Sequence, residues 1–249
     1  MVSKKKSAAD ILAEESFEEL FGVMTPSSKK IHPTLEILKE EAINFCRMSS
    51  DMGIKALYGI TDGKAVGTIV EKMFKIYLNQ NYDFDMGNSG SGVDLPDDDI
   101  NTDIKVSSIK QPQSSSPYKD SRQKIWGLGY NLLLFVYEKK DDKIQNKAYL
   151  HWVDCVFIEK NYTADYSLTK ELIQAKTIGF GIDEIVDILK NKNLPGEDAT
   201  LTMLANEILQ KTPLQGQLTI SNALQWRLNY GRVVRYVGNS NVDGIDKLI

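Results

Sequence analysis

Asp94, Asp103 and Lys105 lie close together in the chain, in a pattern suited to metal-assisted hydrolysis. Thr102-Asp-Ile-Lys-Val106 reads as a strand. Side chains alternate along a strand, so Asp103 and Lys105 share one face while Ile104 and Val106 point to a core. If Gly92–Leu95 is the preceding strand, residues 96–101 make a tight reversal that brings Asp94 across from Asp103 and Lys105. Two carboxylates this close repel unless a divalent cation sits between them. Magnesium takes one or two carboxylates and completes its shell with water and substrate phosphate. A lysine there can orient or help deprotonate an attacking water and stabilise charge growing on phosphorus. The chemistry this predicts is phosphodiester hydrolysis. The competing reading is an exposed hairpin with a local Asp–Lys pair of little energetic weight. Asp-x-Lys alone recurs by chance; the upstream aspartate after a glycine-bounded strand makes the pattern more specific.

The charge distribution points the same way. Asp83, Asp85, Asp94, Asp97, Asp98, Asp99 and Asp103 are followed at once by Lys105, Lys110, Lys119, Arg122 and Lys124. From Ile208 to Asn241 there is no acid, only Lys211, Arg227, Arg232 and Arg235 among the charged residues. Acids that hold cations beside bases that hold a polyanion are what an enzyme acting on phosphate chains needs. A solvated aspartate loop beside ordinary surface lysines gives the same pattern by charge alone.

The elements that must position these residues follow from periodicity. Residues 9–21 read as an amphipathic helix. Thr34 caps a second helix, with Ile37, Leu38, Ala42, Ile43 and Phe45 facing inward. Residues 65–79 form a third. Tyr82–Met86, Gly92–Leu95, Thr102–Ile109, Asn131–Glu138 and Lys147–Glu159 read as strands, broken by Gly, Pro, Asn and Asp clusters. Arg122–Gly129 holds a short helix. Leu168–Lys176, Asp183–Lys190, Ala199–Lys211 and Ser221–Leu228 read as helices, and Arg232–Val237 as a strand. This predicts an α/β (α+β) chain, with a mixed sheet between helices and a small C-terminal module. The expected division is 1–192 and 193–249, with the joint at Leu194-Pro-Gly.

Composition bounds the answer. With 249 residues, 42% hydrophobic, 26% charged and a net charge of −4, disordered and disulfide-scaffold classes are excluded. The longest apolar run, Leu132–Val136, falls far short of the ~20 residues of a membrane helix. The basic N-terminus precedes an acidic helical pattern, so no signal peptide is read. Cys46 and Cys155, far apart in apolar contexts, predict buried thiols in a reducing, cytoplasmic setting. His32 and His151 are too few and too separated for a zinc cluster. There is no phosphate-binding glycine loop followed by Lys-Ser/Thr.

Val93-Asp94 followed by Asp103-Ile-Lys105 resembles the split signature of the PD-(D/E)xK nuclease superfamily. The run from Gly92 through Asp103-Ile-Lys-Val-Ser-Ser resembles its type II restriction endonucleases in particular, most closely over residues 90–138. The resemblance implies a restriction-endonuclease-like core, with a central mixed β-sheet flanked by helices and a helical or winged-helix-like C-terminal module. It implies that Asp94, Asp103 and the carbonyl of Ile104 hold Mg2+ and that Lys105 is the catalytic lysine. The superfamily often adds an acid from a preceding helix, and Glu71 is the candidate. The literal Pro-Asp pair is Pro96-Asp97, so Asp97 rivals Asp94 as first ligand. Asp94 is preferred because it lies on the strand, whereas Asp97 falls in the turn.

Sequence-specific cutting of double-stranded DNA needs groups that read bases and hold phosphates. Ser107, Ser108, Lys110, Gln111, Gln113, Lys119, Arg122 and Gln123 follow the Asp-x-Lys strand directly. Gln pairs bidentately with adenine, and Arg or Lys with guanine, while hydroxyls and lysines suit phosphates. Arg227, Arg232 and Arg235 offer a second set. The 199–237 region resembles a winged helix-turn-helix in outline, with a helical subdomain packing on the core or at a dimer contact as the alternative. The expected protein is a homodimer matched to palindromic sites, with a cognate DNA methyltransferase as genetic partner and no membrane. Two further readings remain: a nicking or repair nuclease of the same superfamily, and a non-catalytic DNA-binding regulator.

Overall fold

The computed structural model describes residues 6–23, 27–28, 30–50, 52–85, 87, 92–116, 119–221, 226–236 and 242–249. Helices α1 (Ala8–Phe21) and α2 (Leu35–Ser49) precede a short β1 (Gly53–Ile54) and α3 (Gly63–Leu78). Then come β2 (Thr102–Ser108), β3 (Gln113–Ser116), α4 (Arg122–Trp126), β4 (Asn131–Asp142) and β5 (Lys147–Ile158). The rest is α5 (Tyr166–Thr177), α6 (Ile182–Asn191), α7 (Asp198–Gln210), β6 (Thr219–Ile220), β7 (Trp226–Asn229), α8 (Gly231–Tyr236) and β8 (Ile245–Lys247). The result is a mixed α/β, restriction-endonuclease-like core.

Contacts group the chain into two units that interleave along the sequence. The first comprises Met1–Pro112, Leu133–Phe157 and Lys247–Ile249; the second comprises Gln113–Leu132 and Ile158–Asp246. The joint expected at residue 193 falls between α6 and α7. Ile185, Leu189, Leu194, Leu201 and Leu204 there belong to one buried apolar cluster.

The first unit is built on a sheet with strand order β1-β5-β4-β2. Every residue of β4 from Asn131 to Tyr137 is buried, the mark of a strand covered on both faces. Helices α1, α2 and α3 close the core around an aromatic group. Phe45 meets Phe74 at 5.1 Å between ring centroids, Phe74 meets Phe135 at 5.0 Å, and Phe135 meets Trp152 at 5.7 Å. Removing one such ring typically costs ~3–5 kcal/mol. Cys46 and Cys155 are free, buried thiols. Thr34 caps α2 as expected, its hydroxyl accepting from Ile37 N at 3.3 Å.

Two strand expectations change in the first unit. Of Gly92–Leu95, Leu95 makes an isolated antiparallel bridge to Thr102. Its N–H donates to Thr102 O at 3.0 Å, and Thr102 N–H donates back at 2.9 Å. The reversal is therefore real but short, closed by Ile100 N on Asp97 O at 2.9 Å. Asn101 takes a left-handed φ of 33° there, a conformation asparagine tolerates. Tyr82 forms an isolated parallel bridge to Ile31, and Met86 lies outside the described residues.

The second unit holds a three-stranded antiparallel sheet, order β3-β7-β6, beside α5, α6 and α7. Two local expectations change here. Ser221–Leu228 was expected as a helix, but Trp226–Asn229 is strand β7, and residues 222–225 lie outside the described residues. Trp226 and Leu228 are buried while Arg227 is exposed, a period of two that a four-residue element cannot advertise in sequence. Arg232–Val237 was expected as a strand; Gly231–Tyr236 is helix α8. Its start is held by the Asn229 side chain, which accepts from Gly231 N at 2.9 Å. The local preference of Val233 and Val234 for strand gives way to this cap and to burial of Val233. Among the described residues no helix is long and apolar enough to cross a membrane.

Candidate active site

Three pieces of the first unit meet at one cluster: α3, the reversal before β2, and β2 itself. Gly67 sets how closely α3 lies on β2. A Cβ at Gly67 would come within 3.0 Å of the Val106 carbonyl oxygen, closer than side chains normally approach. One turn further along, Glu71 and Lys75 share a helix face at i, i+4.

On β2, Asp103 and Lys105 project together, with Lys105 Nζ 2.6 Å from Asp103 Oδ2. Ile104 between them is fully buried. The Leu95–Thr102 bridge then brings Asp94 beside Asp103, and the two carboxyls are hydrogen-bonded. Asp94 Oδ2 also accepts from Ile104 N at 2.9 Å, which fixes the carboxylate against the strand. Its other oxygen accepts from Lys75 Nζ, and the same ammonium lies 3.2 Å from Glu71 Oε1.

Charge is arranged unevenly over the carboxyls. Burial pushes the Asp103 carboxyl up to about 7; the Lys105 ammonium opposes this, while the Asp94 charge adds to it. Burial also opposes ionisation of Asp94. The hydrogen bond from Asp103 and the Lys75 ammonium outweigh it and hold Asp94 below the usual carboxylate range. In the metal-free cluster Asp94 is thus the charged partner, and below about pH 7 Asp103 carries the proton. Glu71 is raised by burial and by the Asp94 charge. Burial disfavours the Lys75 charge, but Asp94 and Glu71 together hold its pKa above the ordinary lysine value.

The cluster suits a small hard cation. Two carboxylates in hydrogen-bond contact are the donor set magnesium takes from a protein, with water and phosphate filling the rest. Among the described residues no three Asp, Glu, His or Cys side chains form a ready-made metal cage. Within this cluster, the Lys75 ammonium stands between Glu71 and Asp94.

The structure brings Glu71, Asp94, Asp103 and Lys105 together. Asp97 is directed elsewhere: its Oδ2 accepts from Asp85 N at 2.9 Å and ties the turn to the preceding segment. Lys75 was missed by the sequence reading. The i, i+4 spacing to Glu71 was visible in the sequence, but the meeting with Asp94, which singles Lys75 out among the lysines of α3, was not.

The expected DNA contacts divide. Lys110, Gln111 and Lys119 are exposed, and Ser108 Oγ accepts from Lys110 N at 3.3 Å. Ser107 is only 4% exposed and donates to Gln111 O. Arg122 is turned to Glu207 in a two-pronged ion pair. Gln123 donates to Leu128 O at 3.2 Å and accepts from Lys119 N at 3.3 Å. Arg232 stacks 3.3 Å from the centre of the Tyr166 ring. Ser107, Arg122, Gln123 and Arg232 are therefore committed to their own fold. Arg227 and Arg235 are exposed, and Gln113 is half-buried on β3.

Comparison with known proteins gives two findings. A family model described as type II restriction enzyme NspV matches residues 32–247. The type II restriction enzyme NspV of Nostoc sp. (strain ATCC 29411 / PCC 7524) is 44% identical over 212 residues, 85% of this chain and 94% of that protein. No solved structure matches.

Proposed function

The chain belongs to the NspV family of type II restriction enzymes and is a DNA endonuclease; we propose that Glu71, Asp94, Asp103 and Lys105 form its hydrolytic centre. The observation that carries this is their convergence at the meeting of α3, the Leu95–Thr102 reversal and β2. Asp94, Asp103 and the Ile104 carbonyl would hold Mg2+, with Glu71 completing the set. The bound ion would supply Lewis-acid polarisation of the scissile phosphate and a more acidic water. Asp94 is held in place by the Ile104 N–H, so its oxygens are oriented before substrate arrives. Lys105, anchored on Asp103, orients the attacking water and balances charge growing on phosphorus.

Base reading is assigned to the outward face of the β3-β7-β6 sheet. The register pairs Gln113 with Asn229, Ser115 with Arg227 and Thr219 with Asn229, so five polar side chains share one face. Arg227 and Gln113 carry the bidentate groups that distinguish guanine and adenine in the major groove, which admits a β-ribbon, while Asn229 is engaged with Gly231 N. Lys110, Gln111, Lys119 and Arg235 contact phosphates. The protein acts on double-stranded DNA as a homodimer, and a cognate DNA methyltransferase protects host sites.

The test is digestion of long unmethylated DNA with magnesium. Wild type yields discrete fragments, while Asp103→Ala and Lys105→Ala yield none. Arg227→Ala still cuts but loses discrimination between sites. Full activity in Asp103→Ala would remove the assignment of the centre. Unchanged site preference in Arg227→Ala would remove that of the sheet face.

A further inference from the structure

We propose that Lys75 is a built-in counter-cation of the hydrolytic centre, occupying the place between Glu71 and Asp94 that a divalent metal must take and leaving it when the metal enters. The inference rests on the reading of Asp94, Asp103 and Glu71 as the metal-holding carboxyls.

Three observations carry it. Lys75 Nζ touches both Glu71 and Asp94, so one ammonium serves two carboxylates from different elements. Asp94 is simultaneously tied to Ile104 N and to Asp103, so the carboxylate cannot turn away and the lysine must move instead. Space for that movement exists: a cavity of about 280 Å³ opens beside Lys75, lined by Lys6, Asp10, Glu14, Lys72, Ile76 and Asn79 as well. Asp10 and Glu14 there are paired with Lys72 and Lys6, so the displaced ammonium would share those carboxylates or turn to water.

The physical consequence is competition. Without Lys75, Glu71 and Asp94 would face Lys105 alone, leaving unbalanced negative charge in a half-buried cluster, which is unfavourable when no metal is present. Lys75 offsets that charge and keeps Glu71 and Asp94 aligned. A divalent ion entering the same place must displace it, and repulsion between the ion and the ammonium weakens binding until the side chain has moved. The lysine therefore stabilises the empty site and lowers its affinity for metal. A lysine that merely braced α3 against the reversal would have the opposite effect on metal binding, because losing it would loosen the carboxylates.

The experiment is calorimetric titration of Mn2+ and Ca2+ into the full-length, metal-free protein without DNA. Lys75→Met is expected to bind metal about tenfold more tightly than wild type, while its thermal midpoint without metal falls. Asp103→Asn is the control for the underlying reading and is expected to lose binding. If Asp103→Asn binds metal like wild type, the reading of the centre fails, and this inference with it. If Asp103→Asn loses binding but a folded Lys75→Met binds equally or more weakly, the inference alone is overturned. Wild-type protein provides a measurement independent of any variant's folding. Acetylation of Lys75 by an N-hydroxysuccinimide ester, followed by mass spectrometry, is expected to be slow without metal and several-fold faster at saturating Ca2+. An unchanged rate overturns the proposal.

Discussion

At the scale of single residues, the cluster is governed by one shared proton. Asp103 holds it because burial and the Asp94 charge raise its carboxyl from 3.8 to about 7. Between those two values the native state keeps a proton that the unfolded chain releases. Stability contributed by Asp103 is therefore full below pH 4, falls as pH rises toward 7, and is flat above. Thermal midpoints of the metal-free protein from pH 4 to 8 should fall more steeply for wild type than for Asp103→Asn, whose amide does not titrate. Parallel curves would mean that the proton is not on Asp103. Asp94, Asp103 and Lys105 were legible in the sequence because strand alternation and a short reversal fix their relation locally. Lys75 was not, because nothing local says which of several lysines on α3 meets a carboxylate nineteen positions later.

At the scale of elements, the contact between α3 and β2 decides whether Glu71 and Lys75 reach the strand. Gly67 permits it, since a Cβ there would meet Val106 O at 3.0 Å. Gly67→Val forces the helix outward and is expected to cost roughly 1–3 kcal/mol of stability, the usual range for overpacking. It should also slow cleavage well beyond what the lost stability explains, because the helix carries two cluster residues. Thermal unfolding and single-turnover cleavage on the same variant separate the two effects. An unchanged cleavage rate would mean that the helix position is not critical. Long periodic helices such as α1, α3 and α7 were readable within one or two residues. Four-residue β7 and six-residue α8 were exchanged for one another because each is too short to show a period. Partners far along the chain, such as Ser115 opposite Arg227, select their form.

At the scale of the whole molecule, the two units interleave: β2 belongs to the first, and β3, eight residues beyond Lys105, opens the second. The strand proposed to carry the chemistry is thus covalently close to the polar sheet proposed for base reading. In the proposed homodimer each copy supplies one such centre to one strand of a palindrome. Sedimentation is expected to give twice the 28.0 kDa chain mass. A monomer that makes double-strand breaks with no dependence on protein concentration would exclude the dimer.

Sequence by itself determined the α/β class, the long helices, the central apolar strand and the Asp94…Asp103-x-Lys105 arrangement. All of these depend on periodicity or on contacts within about ten residues. Tertiary structure decided which lysine faces Glu71 and Asp94 and which of the basic and polar residues are spent on the fold. It also decided how the 199–237 region folds. Those outcomes depend on pairings between segments far apart in the chain, where burial and charge satisfaction outweigh local preference.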